Sequence, residues 1–404
     1  MKELREILNL FTKNSFVKHS FYAFYPHHVW NQHLLWNKYL YNIKPHYAIK
    51  SNPDPLLINT LYPRGIKFDC ASLQELKLVK DTLPKGTALN NLIVYANPCK
   101  SFVDLEYAQK EIDSPTTVVD SFEELDKLVE IKYNGGALVR ISVDDKNSKI
   151  PFSGKFGIQP ENVKYLGEYA KSKNIEIKGI SFHVGSGGND GKVYYKSICI
   201  AKQLNRELQT QAKIIDIGGG FLPNEDDFAK KAKYINDAYD KDFEFIAEPG
   251  RFFSSVSQDF FVKVIGKKPW LHNAWRYTID DSLYGQFSCI PFDQAKPLWM
   301  RVSDSDNSEV RKKVKGLLMG RTCDSVDVIA RCEEMEELEV GDWLWFPQMG
   351  SYTNVTATEF NGFPKPSILT TFVESPNIHE SRFIDRVPSN IQTVEPVSSK
   401  ALLV

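Results

Sequence analysis

Residues 177–221 read IKGISFHVGSGGNDGKVYYKSICIAKQLNRELQTQAKIIDIGGGF. A β-type run (177–184) breaks at a glycine-rich turn, a helical pattern follows over 192–210, and a second β-type run, KIIDI (213–217), breaks again at glycines. Strand, helix and strand in that order imply two parallel strands joined by a crossover helix. Outward from this unit the same rhythm holds from about residue 45 to 250, through HYAIK (46–50), IKFD (66–69), LIVYA (92–96), TTVV (116–119), ALVRISV (137–143) and FEFIAE (243–248). Helical patterns also run over 160–173 and 225–239. Several intervening segments open with a helix-start signature: Ser72 precedes Glu75, Ser101 precedes Asp104 and Ser121 precedes Glu124, each three residues apart. In such a capping box the side chains satisfy the orphan N–H groups of the first turn. Eight strand–helix units in about 200–250 residues are the size of a closed (β/α)₈ TIM barrel. An open doubly wound sheet uses the same units, but the count favours the barrel.

After about residue 258 the texture changes. Strand-like runs continue, as DFFVKVIGK (259–267), WRYTI (275–279), GLLMG (316–320) and DWLWF (342–346), without long helical segments between them. That pattern predicts a second, mainly antiparallel β domain. The polar stretch VSDSDNSEVRKKV (302–314) reads as an exposed loop, and the tail after about 376 has few apolar anchors.

Composition narrows the class. The chain has 404 residues, 42% hydrophobic and 25% charged, with 50 Lys+Arg against 51 Asp+Glu and a net charge of −1. Global disorder is excluded, and nothing in the charge calls for nucleic acid or an anionic membrane as partner. No apolar stretch approaches the roughly 20 residues needed to span a bilayer. The N-terminus, MKELREILNLFTKN, is too charged for a signal peptide and predicts a short amphipathic helix. Six cysteines without zinc or CxxC spacing suggest a reduced, soluble, cytoplasmic protein rather than a disulfide framework.

In a barrel, chemistry sits at the C-terminal ends of the strands. Those ends carry Lys50, Asp69, His183, Gly218-Gly219-Gly220, and Glu248 followed by Pro249-Gly250-Arg251, with Arg140 inside the fifth strand. In HYAIKSNPDP (46–55), period-two alternation places Ala48 and Lys50 on one face, which suits a buried Schiff-base amine; alone it is a surface lysine at a strand end. DIGGGF and HVGSGGNDGK offer backbone N–H groups to an anion that Arg251 can clamp. Neither is a dinucleotide fingerprint, because Asp190 follows GxGxx from Gly185, and neither is a P-loop, being one residue short. His183 has no second His or Cys placed to share a metal, so no metal is expected. It is either a structural core histidine or an imidazole packed against a flat ring. Glu248 is either a plain acid or the partner of a basic ring nitrogen. Lysine, anion cradle, flat partner and ring-nitrogen acid together describe pyridoxal phosphate.

Further motifs extend along the chain: YAIKSN (47–52), FDCAS (68–72), YANPCK (95–100), KFG (155–157), SFHVGSG (181–187), DIGGGF (216–221), EPGRFF (248–253), YGQFSCIPFD (284–293), TCDSVD (322–327), GDWLWFPQMGSYT (341–353) and FNGF (360–363). In number and order they resemble the fold-type III, pyridoxal-phosphate ornithine/diaminopimelate/arginine decarboxylase family, over about residues 20–365. The resemblance implies an alanine racemase-like barrel over 26–257, and a β domain over 258–404 completed by residues 1–25. It implies that Lys50 carries the cofactor, that His183 stacks on its ring and that Glu248 keeps the ring nitrogen protonated. Ser186, Gly218, Gly219, Gly220, Arg251 and Tyr352 would bind the phosphate, with Gly250 beside it, while Asp69 and Arg140 order the lysine and cofactor. Tyr284, Phe292 and Asp293 would line the substrate pocket, with Asp293 facing a distal ammonium. In a homodimer with shared active sites, Cys323 and Asp324 would arrive from the other subunit, Cys323 as proton donor. The implied reaction is decarboxylation of a basic amino acid, most simply L-ornithine to putrescine. Lysine or arginine decarboxylation, or an inactive decoy that binds another protein, are the alternatives. Three stretches depart from the family pattern: Gly320-Arg321 stands for Gly-Pro, Ser325 for Gly, and Asp280-Asp281-Ser282 for Asn-Asp-Gly. Arg321 adds charge near a pocket for cations.

Overall fold

The computed structural model describes residues 2–13, 17–188, 190–208, 212–270, 274–302, 311–374 and 392–393. Most of the expected 302–314 loop (303–310) and most of the tail after 376 lie outside them. The strands are, in chain order, β1 (Phe21–Phe24), β2 (Ile43–Ala48), β3 (Lys67–Cys70), β4 (Ile93–Tyr95), β5 (Thr116–Val119), β6 (Ala137–Arg140), β7 (Ile177–Ser181), β8 (Ile214–Asp216), β9 (Glu244–Ala247), β10 (Gln258–Pro269), β11 (Ala274–Ile279), β12 (Leu298–Arg301), β13 (Lys313–Met319), β14 (Val328–Glu336), β15 (Trp343–Phe346), β16 (Ser367–Thr370) and β17 (Gln392–Thr393). Two compact units emerge, 29–253 and the combination of 1–28 with 254–404, against the expected boundaries at 26 and 257.

The first unit is the expected barrel. Strands β2 to β9 pair in parallel in sequence order, and β9 closes onto β2 through Ile43↔Phe245 to Pro45↔Ala247. Val94, Ala96, Val118, Leu138 and Ile246 pack as one apolar cluster, so neighbouring strands share an interior. The strands stop sooner than their apolar runs. HYAIK ends as a strand at Ala48 and turns into a single 3₁₀ turn over Ile49–Ser51. The expected alternation therefore does not reach Lys50, which is presented by the turn. Likewise β7 ends at Ser181, two residues before His183.

The three Ser start signals cap helices, with the hydroxyls accepting from Glu75 N, Asp104 N and Glu124 N at 3.2–3.3 Å. The reciprocal half of the box differs from expectation. Glu75 accepts from Ala71 N at 2.6 Å, one residue before its cap. Glu124 accepts from Lys100 N at 3.1 Å and is buried with the Lys100 ammonium 2.8 Å away. Its side chain joins two strand–helix units instead of closing its own helix.

In the second unit β14, β13, β11, β10, β15, β12 and β17 form one sheet path, mainly antiparallel, with β11–β13 parallel. Period-two alternation separates two cores. Tyr22, Phe260, Val262, Leu344 and Phe346 face one side; Phe21, Ala23, Phe261 and Trp345 face the other, where Leu4 and Ile7 of the helix Lys2–Thr12 cover them. β1 is sandwiched between β10, antiparallel, and β16, parallel. All four of its residues are buried as a result.

Candidate active site

Six ionisable groups converge at the C-terminal ends of the barrel strands. Lys50 Nζ donates to Asp69 Oδ2 at 2.8 Å; Asp69 is 1% exposed, and its Oδ1 has no hydrogen-bond partner among the described residues. The fields of Lys50 and Arg140 both reach His183 and Glu248, which places Arg140, the last residue of β6, in the same cluster. Arg140 also lies 4.9 Å over the Phe156 ring.

His183 is held neutral. Burial pushes its imidazole well below the usual range, and the charges of Arg140 and Lys50 push further in the same direction. Gly185 N donates to Nδ1 at 3.1 Å, so Nδ1 is the acceptor and the ring proton sits on Nε2. Phe152 meets the ring edge-on at 4.8 Å.

Glu248 follows β9 and is 8% exposed. Burial raises its carboxyl well above the ordinary range, and Asp216 and Asp69 add like charge. Asp216, at the end of β8, is fully buried and raised to about 7, chiefly by burial. Two acids that share one buried space cannot both ionise, and Glu248 keeps its proton. Asp216 was not singled out by the sequence reading, although its place at a strand end within DIGGGF was the available signal. Its Oδ1 accepts from Gly218 N at 2.9 Å, while Oδ2 has no partner among the described residues.

The glycine loop wraps this cluster. A Cβ on Gly219 would stand 2.7 Å from Glu248 O and 3.0 Å from His183 Nε2, and Gly220 has φ +94°, so side chains are excluded by contact at one position and by strain at the other. Its carbonyls are tied back by Tyr194 Oη to Gly219 O at 2.6 Å and by the buried Lys231 Nζ to Gly220 O at 3.2 Å. Ser186 is braced through its backbone, bonded both ways to Ile150 at 3.0 and 3.1 Å. Ala48 N donates to Pro249 O, and the missing Cβ of Gly250 lets Ser51 approach, so the Lys50 turn and the turn carrying Gly250 and Arg251 abut.

The remaining expected residues belong to the second unit. Tyr284 donates to the Asp324 carboxylate, which holds that acid below the usual carboxylate range. Tyr284 also packs against Phe360, ring centroids 4.5 Å apart and tilted by 34°. Cys323 is exposed, and its N–H donates to Asn361 Oδ1 at 3.0 Å. FNGF (360–363) marks Asn361 only as part of a motif and carries no signal for this bond. Asp293 ends the short helix Cys289–Asp293, and Phe292 beside it is 73% exposed. The start of that helix is linked to Tyr352, since Ser288 Oγ lies 2.8 Å from Thr356 Oγ1, which donates to Tyr352 O at 3.0 Å. Among the described residues no group of three or more His, Cys, Asp or Glu could hold a metal ion, and no helix is long and apolar enough to cross a membrane.

A buried proton-bearing acid, a lysine paired with a buried carboxylate, a neutral imidazole and a glycine cradle can hold an anionic aromatic aldehyde and keep its ring nitrogen charged. The comparisons agree. Residues 27–255 match the family model described as pyridoxal-dependent decarboxylase, pyridoxal binding domain, and residues 193–350 match pyridoxal-dependent decarboxylase, C-terminal sheet domain. The chain is 36% identical to an ornithine decarboxylase of Caenorhabditis elegans over 362 residues, 84% of this chain and 83% of that protein. It is 35% identical to antizyme inhibitor 2 of Xenopus laevis over 360 residues, 83% and 77% of the two chains. The crystal structure of the arginine decarboxylase of Paramecium bursaria Chlorella virus superposes with a TM-score of 0.85 at 33% identity, covering 91% of this chain and all of that one.

Proposed function

Because this chain belongs to the pyridoxal-dependent decarboxylases, carboxy-lyases that use pyridoxal 5′-phosphate, we propose that its substrate is L-ornithine, converted to putrescine and CO₂. The barrel residues fit that cofactor: orphaned carboxylate oxygens on buried Asp69 and Asp216, a cradle that any Cβ would fill, and a protonated Glu248. When bound, pyridoxal phosphate supplies the electron sink for the pair released as the Cα–carboxylate bond breaks.

The chain supplies the rest. Lys50 is the anchoring amine, and Asp69 sets its position. Glu248 would pass its proton to the ring nitrogen and stay beside it as a carboxylate, and neutral His183 offers a flat face without competing charge. Arg140 orders the lysine neighbourhood. Ser186, the glycine loop with Gly250, Arg251 and Tyr352 take the phosphate. Cys323 Sγ delivers a proton to Cα, and its thiolate regains one from solvent. Asp293 and Asp324 receive the distal ammonium, with Tyr284 and Phe292 beside it. A substrate without that ammonium leaves two carboxylates unpaired.

The observation that carries this reading is Asp324, an acid kept ionised by Tyr284 one residue from Cys323. The reading includes a homodimer in which Cys323 and Asp324 serve the partner's barrel, and free cysteines, all six, support a reduced cytoplasmic setting. Full activity from a species that light scattering sizes as a monomer would contradict the dimer. Identity to antizyme inhibitor 2 favours a second reading, an inactive protein-binding homologue. Against it stands the complete set of Lys50, Asp69, His183, Glu248, Arg251 and Cys323.

The test is competition: protein and cofactor with equal ornithine, lysine, arginine and diaminopimelate, the amines identified by mass. Dominant putrescine is expected. Cadaverine or agmatine instead would keep the mechanism and overturn the substrate. Bound cofactor with no amine would favour the inactive homologue.

A further inference from the structure

The loop carrying Cys323 and Asp324 contains no regular structure between Gly320 and Asp327, and its thiol is exposed. Such a loop delivers a proton to one atom only if something fixes it. Three anchors are already evident. Buried Asp327 accepts from Thr322 N at 3.1 Å, Thr322 Oγ1 at 2.6 Å and Leu283 N at 2.8 Å. Asn361, held at φ 60°, accepts from Cys323 N, and Tyr284 donates to Asp324.

Arg321 is the fourth contact, and the reaction gives it no task. Its N–H donates to Asp281 O at 3.0 Å. Its guanidinium lies 4.2 Å over the Phe363 ring and reaches Pro364 O at 3.5 Å. Nε has no hydrogen-bond partner among the described residues, so a ring face and nearby charge hold this side chain rather than a fork of hydrogen bonds. The nearby charge is chiefly that of Asp280; Asp281, like it 2% exposed, is pushed towards its neutral form by burial, and Arg321 opposes the rise of both carboxyls. Asp280 in turn accepts from Ser20 N and Lys263 N, both at 2.7 Å, so it is fixed to the sheet.

Arg321 therefore bridges the 280–284 segment, which holds Asp324 through Tyr284, and the 360–364 segment, which holds Cys323 through Asn361. We propose that Arg321 is a positioning residue that fixes the Cys323 thiol on the path of its proton, through the Phe363 face at its guanidinium, the Asp281 carbonyl at its N–H and the nearby charge of Asp280. The departures at Arg321 and at Asp280 then belong together. A proline in the place of Arg321 would stiffen the loop through its ring; here a cation does so through its neighbours. The proposal rests on Cys323 as the proton donor.

In the step concerned, the S–H bond of Cys323 breaks and a C–H bond forms at Cα, so correct delivery gives one amine per CO₂. The holoenzymes Arg321→Gln, Phe363→Leu and their double variant should be compared with Cys323→Ala for kcat, KM, thermal midpoint and amine formed per CO₂. Arg321→Gln should lower kcat about tenfold, a part of the roughly 10²–10⁴-fold worth of a placed proton donor. Amine per CO₂ should fall below one, with KM and midpoint little changed. Phe363→Leu should do the same more weakly, and the double variant should be no worse than Arg321→Gln, because both cut one bridge. Arg321→Lys, which keeps charge but no flat face, should restore part of the amine yield. If Cys323→Ala is impaired while Arg321→Gln and Phe363→Leu keep full rate and a ratio of one, the bridge is overturned. If Cys323→Ala itself is unchanged, the fault lies with the proton-donor assignment.

Discussion

The barrel cluster and the Cys323 loop solve the placement of their proposed reactive groups in opposite ways. In the barrel, strand ends and glycine turns set Lys50, Asp69, His183 and Glu248, and burial does the electrostatic work: it keeps His183 neutral and Glu248 protonated. In the second unit Cys323 is exposed and Asp324 is tuned by the Tyr284 hydroxyl and the Val326 N–H, and side-chain contacts from 280–284 and 360–364 replace a rigid frame. A site built into strand ends tolerates little change. One built from loop contacts can be re-aimed by a few substitutions, and the chain's departures from the family pattern do fall around that loop.

The strongest test of this contrast is Lys50→Ala. It should bring decarboxylation below detection and remove the absorption of lysine-bound cofactor; a variant with full turnover would sink the assignment of the barrel cluster. Cys323→Ala should be graded instead. The rate should fall by about 10²–10⁴-fold, the usual worth of a positioned proton donor, with cofactor still bound. An unchanged rate and product would mean that another group delivers the proton and that the loop is scaffolding.

The smallest effect concerns Asp281, whose buried carboxyl is raised from 3.8 to about 7, chiefly by burial. A carboxyl with a raised folded-state value stabilises the fold fully below its unfolded value, and that contribution is lost as pH rises through about 7. Asp281 Oδ1 accepts from both Ser282 N and Gln286 N at 2.7 Å, so Asp281→Asn can keep both bonds and lose only the titration. The thermal midpoint of the variant, compared with the parent from pH 4 to 8, should gain relative to it as pH rises, by a few degrees. Parallel pH curves would show that Asp281 is not buried as a neutral acid.

Legibility in the sequence followed the same divide. The barrel was legible because its units repeat: TTVV became β5 without change of bounds, and the Ser caps fell where spacing placed them. Lys50 and His183 were identified by position at strand ends, yet the strands stop before them, because apolar runs continue into turns that only tertiary contacts reveal. Asp216 escaped notice because its meaning depends on Glu248, 32 residues away, sharing its buried space. Glu124 read as a cap residue, but its side chain is taken by Lys100 from another unit of the barrel. Around Cys323 the motifs named the residues and nothing more. Asn361 and Arg321 act through contacts between loops far apart in sequence, which no local pattern encodes.

The placement of β1 between β10 and β16 has a consequence for how the chain is made. The barrel is one continuous stretch, 29–253, and can fold as soon as it is synthesised. β1 cannot: its partners begin at Gln258 and Ser367. At about 5–20 residues per second, the four apolar residues Phe21–Phe24 wait on the order of 20–70 s for their second neighbour. Through that interval an unpaired strand precedes a finished domain on the ribosome, a hazard that slower synthesis prolongs and that a chaperone would have to manage.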